Sequence, residues 1–263
     1  MAPSVGFIGG GRITRVILTG WKRSGYWPAR VVVSDTNAQT LDGLRAAFPD
    51  IVAVLDDNFP PVREEVVFLA VHPPVMRGVL AEVRGRVSPG ALLVSLAPKL
   101  TIAELAAALG GFARIGRVIP NAPSLVGAGF NPVAFSPVLS PADRQALGAL
   151  LAPLGASPEV PEPDLEAYAV LTGMGPTYLW FQLYELLSLS EGFGLGRAAA
   201  VEALGGMVGG AVRTMTDSGL SPGDVMNLVP VRPLAEDEEA FKSAYRARLQ
   251  GVFEKIRPAV VAV

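Results

Sequence analysis

Val5-Gly6-Phe7-Ile8-Gly9-Gly10-Gly11-Arg12-Ile13-Thr14 is an apolar run that enters a glycine turn and leaves it on residues suited to a helix. A strand that turns sharply into a helix gathers free N–H groups and the positive end of the helix dipole at one spot. Gly9 takes the tight turn and Gly11 lets a pyrophosphate approach the backbone, so the stretch reads as the phosphate-binding corner of a dinucleotide fold. Arg12 and Ile13 open the helix beside it, and Thr14 occupies the third fingerprint position, where Gly or Ala is usual. Asp35, in Val33-Ser34-Asp35-Thr36-Asn37, follows 24 residues after Gly11 at the end of the second apolar run. A carboxylate there accepts from ribose hydroxyls and repels a 2′-phosphate, which tilts the choice between NAD and NADP slightly toward NAD. The competing role for Asp35 is a turn or N-cap, which Thr36 and Asn37 fill equally well.

Outward from this corner, short runs rich in valine and isoleucine recur at 5–8, 31–33, 51–54, 66–71, 91–95 and 113–118. Amphipathic segments near 12–23, 38–47, 74–84 and 101–109 separate them. That alternation predicts an α/β fold, a Rossmann-type doubly wound parallel sheet over residues 1–160. After Ser157-Pro158-Glu159-Val160-Pro161-Glu162-Pro163 the strand signal ends, and helix-compatible segments run over 164–194, 197–218 and 236–256. Residues 161–263 are therefore expected to form a smaller all-helical domain.

Composition narrows the chemistry. The chain has 263 residues, 22 Lys+Arg against 24 Asp+Glu, and so lacks the basic excess that binds nucleic acid. It has no cysteine and one histidine, which removes thiolate chemistry and disulfides and leaves no metal site to expect. The uncharged stretches 118–142 and 167–184 are broken by proline and glycine, and the start of the chain reads as a strand, so no membrane span or secretion signal is expected and the cytoplasm is the default. Half the residues are hydrophobic and only 17% charged, against about 25% in ordinary soluble domains. The surplus of apolar surface predicts a homodimer or higher homo-oligomer.

Three further loops leave the carboxyl edge of the predicted sheet, where ligands of open α/β sheets bind. Ala70-Val71-His72-Pro73 ends the fourth strand and brings the lone imidazole to the expected nicotinamide crevice, either as a contact to the cofactor or as a loop histidine bonded to backbone. Pro98-Lys99 follows the fifth strand, and Lys99 is a candidate carboxylate contact or a solvated surface lysine. Arg117-Val118-Ile119-Pro120-Asn121-Ala122-Pro123 follows the sixth, with Asn121 a candidate hydrogen-bonding residue at the nicotinamide. In the helical part, Thr172-Gly173-Met174-Gly175-Pro176-Thr177-Tyr178 places Pro176 at a helix start that receives a carboxylate or packs through its glycines.

Taken together, Gly6-Phe7-Ile8-Gly9, Phe68-Leu69-Ala70-Val71-His72-Pro73, Arg117-Val118-Ile119-Pro120-Asn121-Ala122-Pro123 and Thr172-Gly173-Met174-Gly175-Pro176-Thr177-Tyr178 make the chain resemble the pyrroline-5-carboxylate reductase family over roughly its first 225 residues. The resemblance implies an amino-terminal Rossmann domain, a helical domain interleaved with its partner in a dimer, and hydride transfer from NADH or NADPH to a cyclic imine acid, yielding proline. It implies Gly9, Gly11, Arg12, Ile13, Ser34, Asp35, Ala70, Val71, His72, Pro73 and Asn121 as the cofactor side. Asn121, Thr172, Gly173, Gly175, Pro176 and Thr177 fall on the substrate side. No catalytic residue is assigned, because a protonated imine is already electrophilic.

The chain departs from the family where substrate is held. His72 replaces a lysine, Pro98-Lys99 replaces Ala-Gly, Met174 replaces a serine, and Thr36 stands where an arginine is frequent. The family's Ser-Pro-Gly-Gly-Thr-Thr loop becomes Leu228-Val229-Pro230-Val231-Arg232-Pro233-Leu234. Losing hydroxyl and N–H donors to a buried carboxylate costs about 1–3 kcal/mol each, so a related imine or keto acid is a credible substrate, met by Arg232 or Lys99. Two other readings stay open: a nucleotide-binding regulatory protein without catalysis, and a hydroxyacid-type dehydrogenase, for which His72 or Lys99 is the available proton donor.

Overall fold

The computed structural model describes residues 2–258. It divides into two compact units, one formed by residues 2–174 with 252–258 and the other by Gly175–Gly251.

In the first unit β1 (Ser4–Ile8), β2 (Arg30–Asp35), β3 (Ile51–Leu55), β4 (Val66–Leu69), β5 (Leu92–Ser95) and β6 (Ile115–Val118) form a parallel sheet in the order β3-β2-β1-β4-β5-β6. That is the doubly wound order expected of alternating strands and helices. The inner strands are buried on both faces, and so read as unbroken apolar runs rather than alternating ones. Helices α1 (Arg12–Ser24), α2 (Ala38–Ala47), α4 (Pro73–Val83) and α5 (Ile102–Ala108) cover the sheet. One face packs Phe7, Trp21 and Phe68 among Val and Leu, and the other packs Ile8, Met76, Leu80, Leu93 and Ile115.

Several elements lie outside the sequence-based expectation. The short α3 (Phe59–Val62) contains two prolines and sits over the sheet at Gly6, where a Cβ would come 2.0 Å from the Pro61 carbonyl oxygen. Only glycine permits that approach. Past β6 the chain makes β7 (Gly129–Phe130) and β8 (Val133–Phe135), the latter antiparallel to β6 at the sheet edge. Helix α6 (Pro141–Leu151) starts on a capping box, with Ser140 and Asp143 satisfying each other's backbone N–H, and β9 (Gly155–Ala156) pairs with β7.

The first unit also extends past the proline-rich stretch expected to end it. Val160 N–H donates to the Val133 carbonyl at 2.9 Å, and Leu165 and Ala169 pack with Ile119 and Ala134. Thus α7 (Leu165–Tyr168) and the π-helical turn Ala169–Gly173 fold on the sheet's last strand. The segment expected as one helix over 164–194 is broken there, and α8 (Pro176–Gly192) begins afresh on Pro176.

The second unit holds α8, α9 (Arg197–Asp217), α10 (Pro222–Asn227) and most of α11 (Glu238–Ile256), with no strand among its described residues. In α8 only Leu187 is buried, and in α9 only Ala200.

Candidate functional site

Glycine positions in the first turn do different work. Gly9 has φ +104°, and a Cβ there would lie 2.6 Å from the Ala70 carbonyl oxygen, so backbone conformation and space both require glycine. Its N–H donates to the Ser34 carbonyl at 2.8 Å and its carbonyl accepts from the buried Thr14 hydroxyl at 2.6 Å. Thr14, where Gly or Ala is usual, therefore stitches the turn from inside. At Gly11 an added Cβ meets nothing within 4 Å, and φ is −70°. The space is open above the first turn of α1, where N–H groups lack carbonyl partners. A pyrophosphate fits this cradle by charge and by room, so the residues present suit a dinucleotide.

Asp35 does two jobs beside it. Its Oδ2 accepts from Gly10 N–H at 2.7 Å and its Oδ1 from Asn37 N–H at 2.8 Å, tying the glycine turn to the end of β2. The N-cap of α2 is Asn37, which accepts from Thr40 N–H at 3.1 Å. Asp35 keeps spare lone pairs toward the cleft, because each carboxylate oxygen accepts more than one hydrogen bond.

Two cavities meet along one edge of the sheet. The first, about 420 Å³, is walled by Gly9, Gly11, Arg12, Asp35, Thr36 and Val75. The second, about 250 Å³, is walled by Leu96, Ala97, Pro98, Ile119 and Pro120, and by Ala169, Gly173 and Met174 of the π turn and its end. Ile13, Ala70, Val71 and His72 line both. They sit past the carboxyl ends of β1 and β4, the neighbouring strands from which the sheet order runs in opposite directions, where open α/β sheets bind their ligands. His72 is the N-cap residue of α4, makes no side-chain cap bond, and is the one titratable side chain among the described residues on the wall of the second cavity.

Not every expected site residue lies on these walls. Ser34 is 1% exposed and its hydroxyl donates to Asn58 Oδ1 at 2.7 Å, beneath the cleft. Asn121 is likewise buried: its Oδ1 accepts from Phe130 N–H at 3.1 Å and its Nδ2 donates to the Thr172 carbonyl at 3.2 Å. Its amide braces the loop after β6 against the π turn. The Thr172 hydroxyl donates to the Tyr168 carbonyl at 2.9 Å. Lys99 is exposed, away from the cavity walls, and Arg232 is ion-paired with Glu238 at the start of α11, a pairing that holds the Glu238 carboxyl below its usual range. Gly175, Pro176 and Thr177 start α8 in the second unit, where Thr177 borders an apolar groove with Tyr178, Phe181 and Tyr245. Thr36, Val75, Leu96, Ala97, Ile119 and Pro120 complete the walls without having been assigned to them from sequence; each follows a strand end or a first helical turn.

Residues 4–99 match a family described as NADP oxidoreductase, coenzyme F420-dependent. The pyrroline-5-carboxylate reductase of Escherichia coli K12 is 28% identical over 240 residues, covering 87% of this chain and 85% of its own length. That of Corynebacterium melassecola is 26% identical over 95% of this chain and 93% of its own. The chain is thus similar to pyrroline-5-carboxylate reductases over most of its length. The fold is similar too: the Coxiella burnetii pyrroline-5-carboxylate reductase superposes with a TM-score of 0.69 at 26% identity, covering 97% of this chain and 95% of that one. The Plasmodium falciparum reductase, solved with NADP bound, gives 0.79 at 20% identity over 97% of each chain. At that identity the likeness speaks for the fold.

Proposed function

We propose that this chain is an NAD(P)H-dependent reductase of the C=N bond of a cyclic imine acid, 1-pyrroline-5-carboxylate or a close relative. The observation that carries the reading is the meeting of the two cavities along Ala70, Val71 and His72, in a chain whose relatives named for this reaction match it over most of its length. When bound, a reduced nicotinamide supplies the hydride. The chain's part is binding, orientation and exclusion of water. The N–H groups of the first turn of α1 and the Arg12 guanidinium meet the pyrophosphate, Asp35 meets a ribose, and Ile13 and Val71 shape the passage from cleft to inner cavity. An inner wall of Ile, Leu, Pro and Ala offers an apolar ring little to hydrogen-bond, so His72 is the group that meets a substrate's acid or holds a proton there. The negative charge of Asp35 and the neutral Thr36 favour NAD over NADP. The test is oxidation of NADH and NADPH by the purified protein with pyrroline-5-carboxylate beside piperideine carboxylates and keto acids; nucleotide binding without turnover of any of them overturns the reading in favour of a regulatory protein.

The working form proposed is a homodimer or larger assembly of this chain. Large side chains of α8 stand open within the second unit, with Phe181 65% and Tyr184 68% exposed, as does Phe193 at 81%. A monomer seldom leaves so continuous an apolar face in water. A monomeric mass by light scattering at micromolar concentration removes this part of the proposal.

A further inference from the structure

Arg117, on β6, is 1% exposed and forks between two carboxylates: its Nη1 lies 2.9 Å from Glu162 Oε1 and its Nη2 2.5 Å from Glu166 Oε1. Those same oxygens reach the loop that leaves β5. Glu166 Oε1 accepts from Lys99 N–H at 3.0 Å, and Glu162 Oε1 from Ile102 N–H at 2.6 Å. Lys99 has φ +87°, a left-handed backbone that a lysine adopts only when held there. Arg117 Nε and Glu166 Oε2 are buried with no partner among the described residues, so the cluster is poorly arranged for stability as such.

Its position supplies another reason. Pro98 precedes the held Lys99, Ile119 lies two residues past Arg117, and Ala169 lies three past Glu166; these three residues stand on different walls of the inner cavity. We propose that Arg117, Glu162 and Glu166 are positioning residues, a buried ionic clamp that fixes the spacing of the three walls around the nicotinamide end of the cofactor. The inference rests on the nucleotide-dependent reading given above. An apolar cluster of equal volume would fill the same space, but it has no acceptor for the N–H groups of Lys99 and Ile102, and the loop carrying Pro98 would be free to shift.

The test uses the full-length double variant Arg117→Met/Glu166→Met, because replacing both members of a buried pair with apolar residues of similar size tends to preserve folding. Dissociation constants are measured for NADH and for ADP-ribose, which lacks the nicotinamide, together with hydrogen exchange at the Lys99 and Ile102 amides. Expected are faster exchange at Lys99, NADH binding weaker by about tenfold, and ADP-ribose binding within about twofold of wild type. Equal effects on the two nucleotides, or faster exchange with NADH affinity unchanged, overturn the clamp. Glu162 is 28% exposed, so Glu162→Gln is the second variant if the double variant does not fold; it weakens the acceptor of the Ile102 N–H, and exchange is then read at Ile102 beside the same two nucleotide affinities. A wild-type chain that binds neither nucleotide removes the functional reading and the clamp with it, whereas wild-type binding that the variants do not divide between NADH and ADP-ribose removes the clamp alone.

Discussion

Gly11→Val separates the binding role of the glycine turn from its folding role. The residue is the N-cap of α1 with φ −70° and ψ −162°, a conformation open to any side chain, and an added Cβ touches nothing within 4 Å. A valine there loses a little as an N-cap, by less than about 1 kcal/mol, equivalent to a fall in Tm of about 2–4 °C for a chain of this size. The valine methyls, however, occupy the space above the first turn of α1 in the 420 Å³ cleft. Excluding a pyrophosphate from two of those N–H groups forfeits charge-assisted bonds of about 1.5–3 kcal/mol each. The sum, about 3–6 kcal/mol, weakens binding on the order of 10²–10⁴-fold. Gly9→Ala provides the opposite case. At φ +104° and 2.6 Å from the Ala70 carbonyl it strains the backbone by about 1–3 kcal/mol before any clash is counted, so its Tm falls several degrees. Fluorescence titration with NADH and thermal denaturation of both variants read the two effects apart. NADH affinity of Gly11→Val within threefold of wild type, with folding intact, refutes the placement of the pyrophosphate.

Four other outcomes are expected. Asp35→Asn leaves the Gly10 or Asn37 N–H without its acceptor, weakening NADH by about 1–3 kcal/mol, while loss of the charge moves the NADPH-to-NADH affinity ratio upward; an unchanged ratio in competition titrations contradicts the proposed preference. Trp21→Phe removes the Nε1–H donor to the buried Leu150 carbonyl at 2.7 Å and destabilises the chain by about 1–3 kcal/mol in urea unfolding; an unchanged midpoint contradicts it. Burial tends to raise the Asp143 carboxyl, but hydrogen bonds from Ser140 and Arg114 outweigh it and hold the group below its usual range. A carboxyl depressed by folding contributes stability above its unfolded pKa of about 4 and loses it as pH falls through the folded value, so Arg114→Met should flatten the acid limb of a stability–pH curve. Phe181→Glu, in the exposed face of α8, should lower the assembly mass seen by light scattering while circular dichroism stays helical.

What the sequence made legible follows from which signals are local. The inner parallel strands were readable because burial on both faces leaves runs such as 66–69 without a polar residue, and the glycine turn because φ +104° at Gly9 has few other solutions. Helix α6 carries a local signal too, Ser140-Pro141 with Asp143 as a capping box. Long-range pairing was beyond reach. Nothing near Arg117 in sequence announces that Glu162 and Glu166 close over it, and it is that pairing, with the Val160–Val133 bond, that carries the first unit on to Met174 rather than ending it near 160. Ser34 and Asn121 were expected to face ligand because both stand at strand ends. The structure turns the Ser34 hydroxyl to the Asn58 side chain, and the Asn121 amide to the backbone of Phe130 and Thr172, since buried polar groups pair with whatever partner the packing brings within reach.

The two faces of the central sheet differ in a way that decides what a spectrometer sees. Trp21 is buried in one layer with Trp27 packed beside it, whereas the buried side chains of the other layer include neither tryptophan nor tyrosine. The remaining indole, Trp180, is 44% exposed on α8. Emission during unfolding therefore follows one layer and is blind to the other, which needs amide exchange to be observed. If the proposed assembly covers α8, dilution should instead shift the Trp180 contribution, an optical signal distinct from loss of the fold.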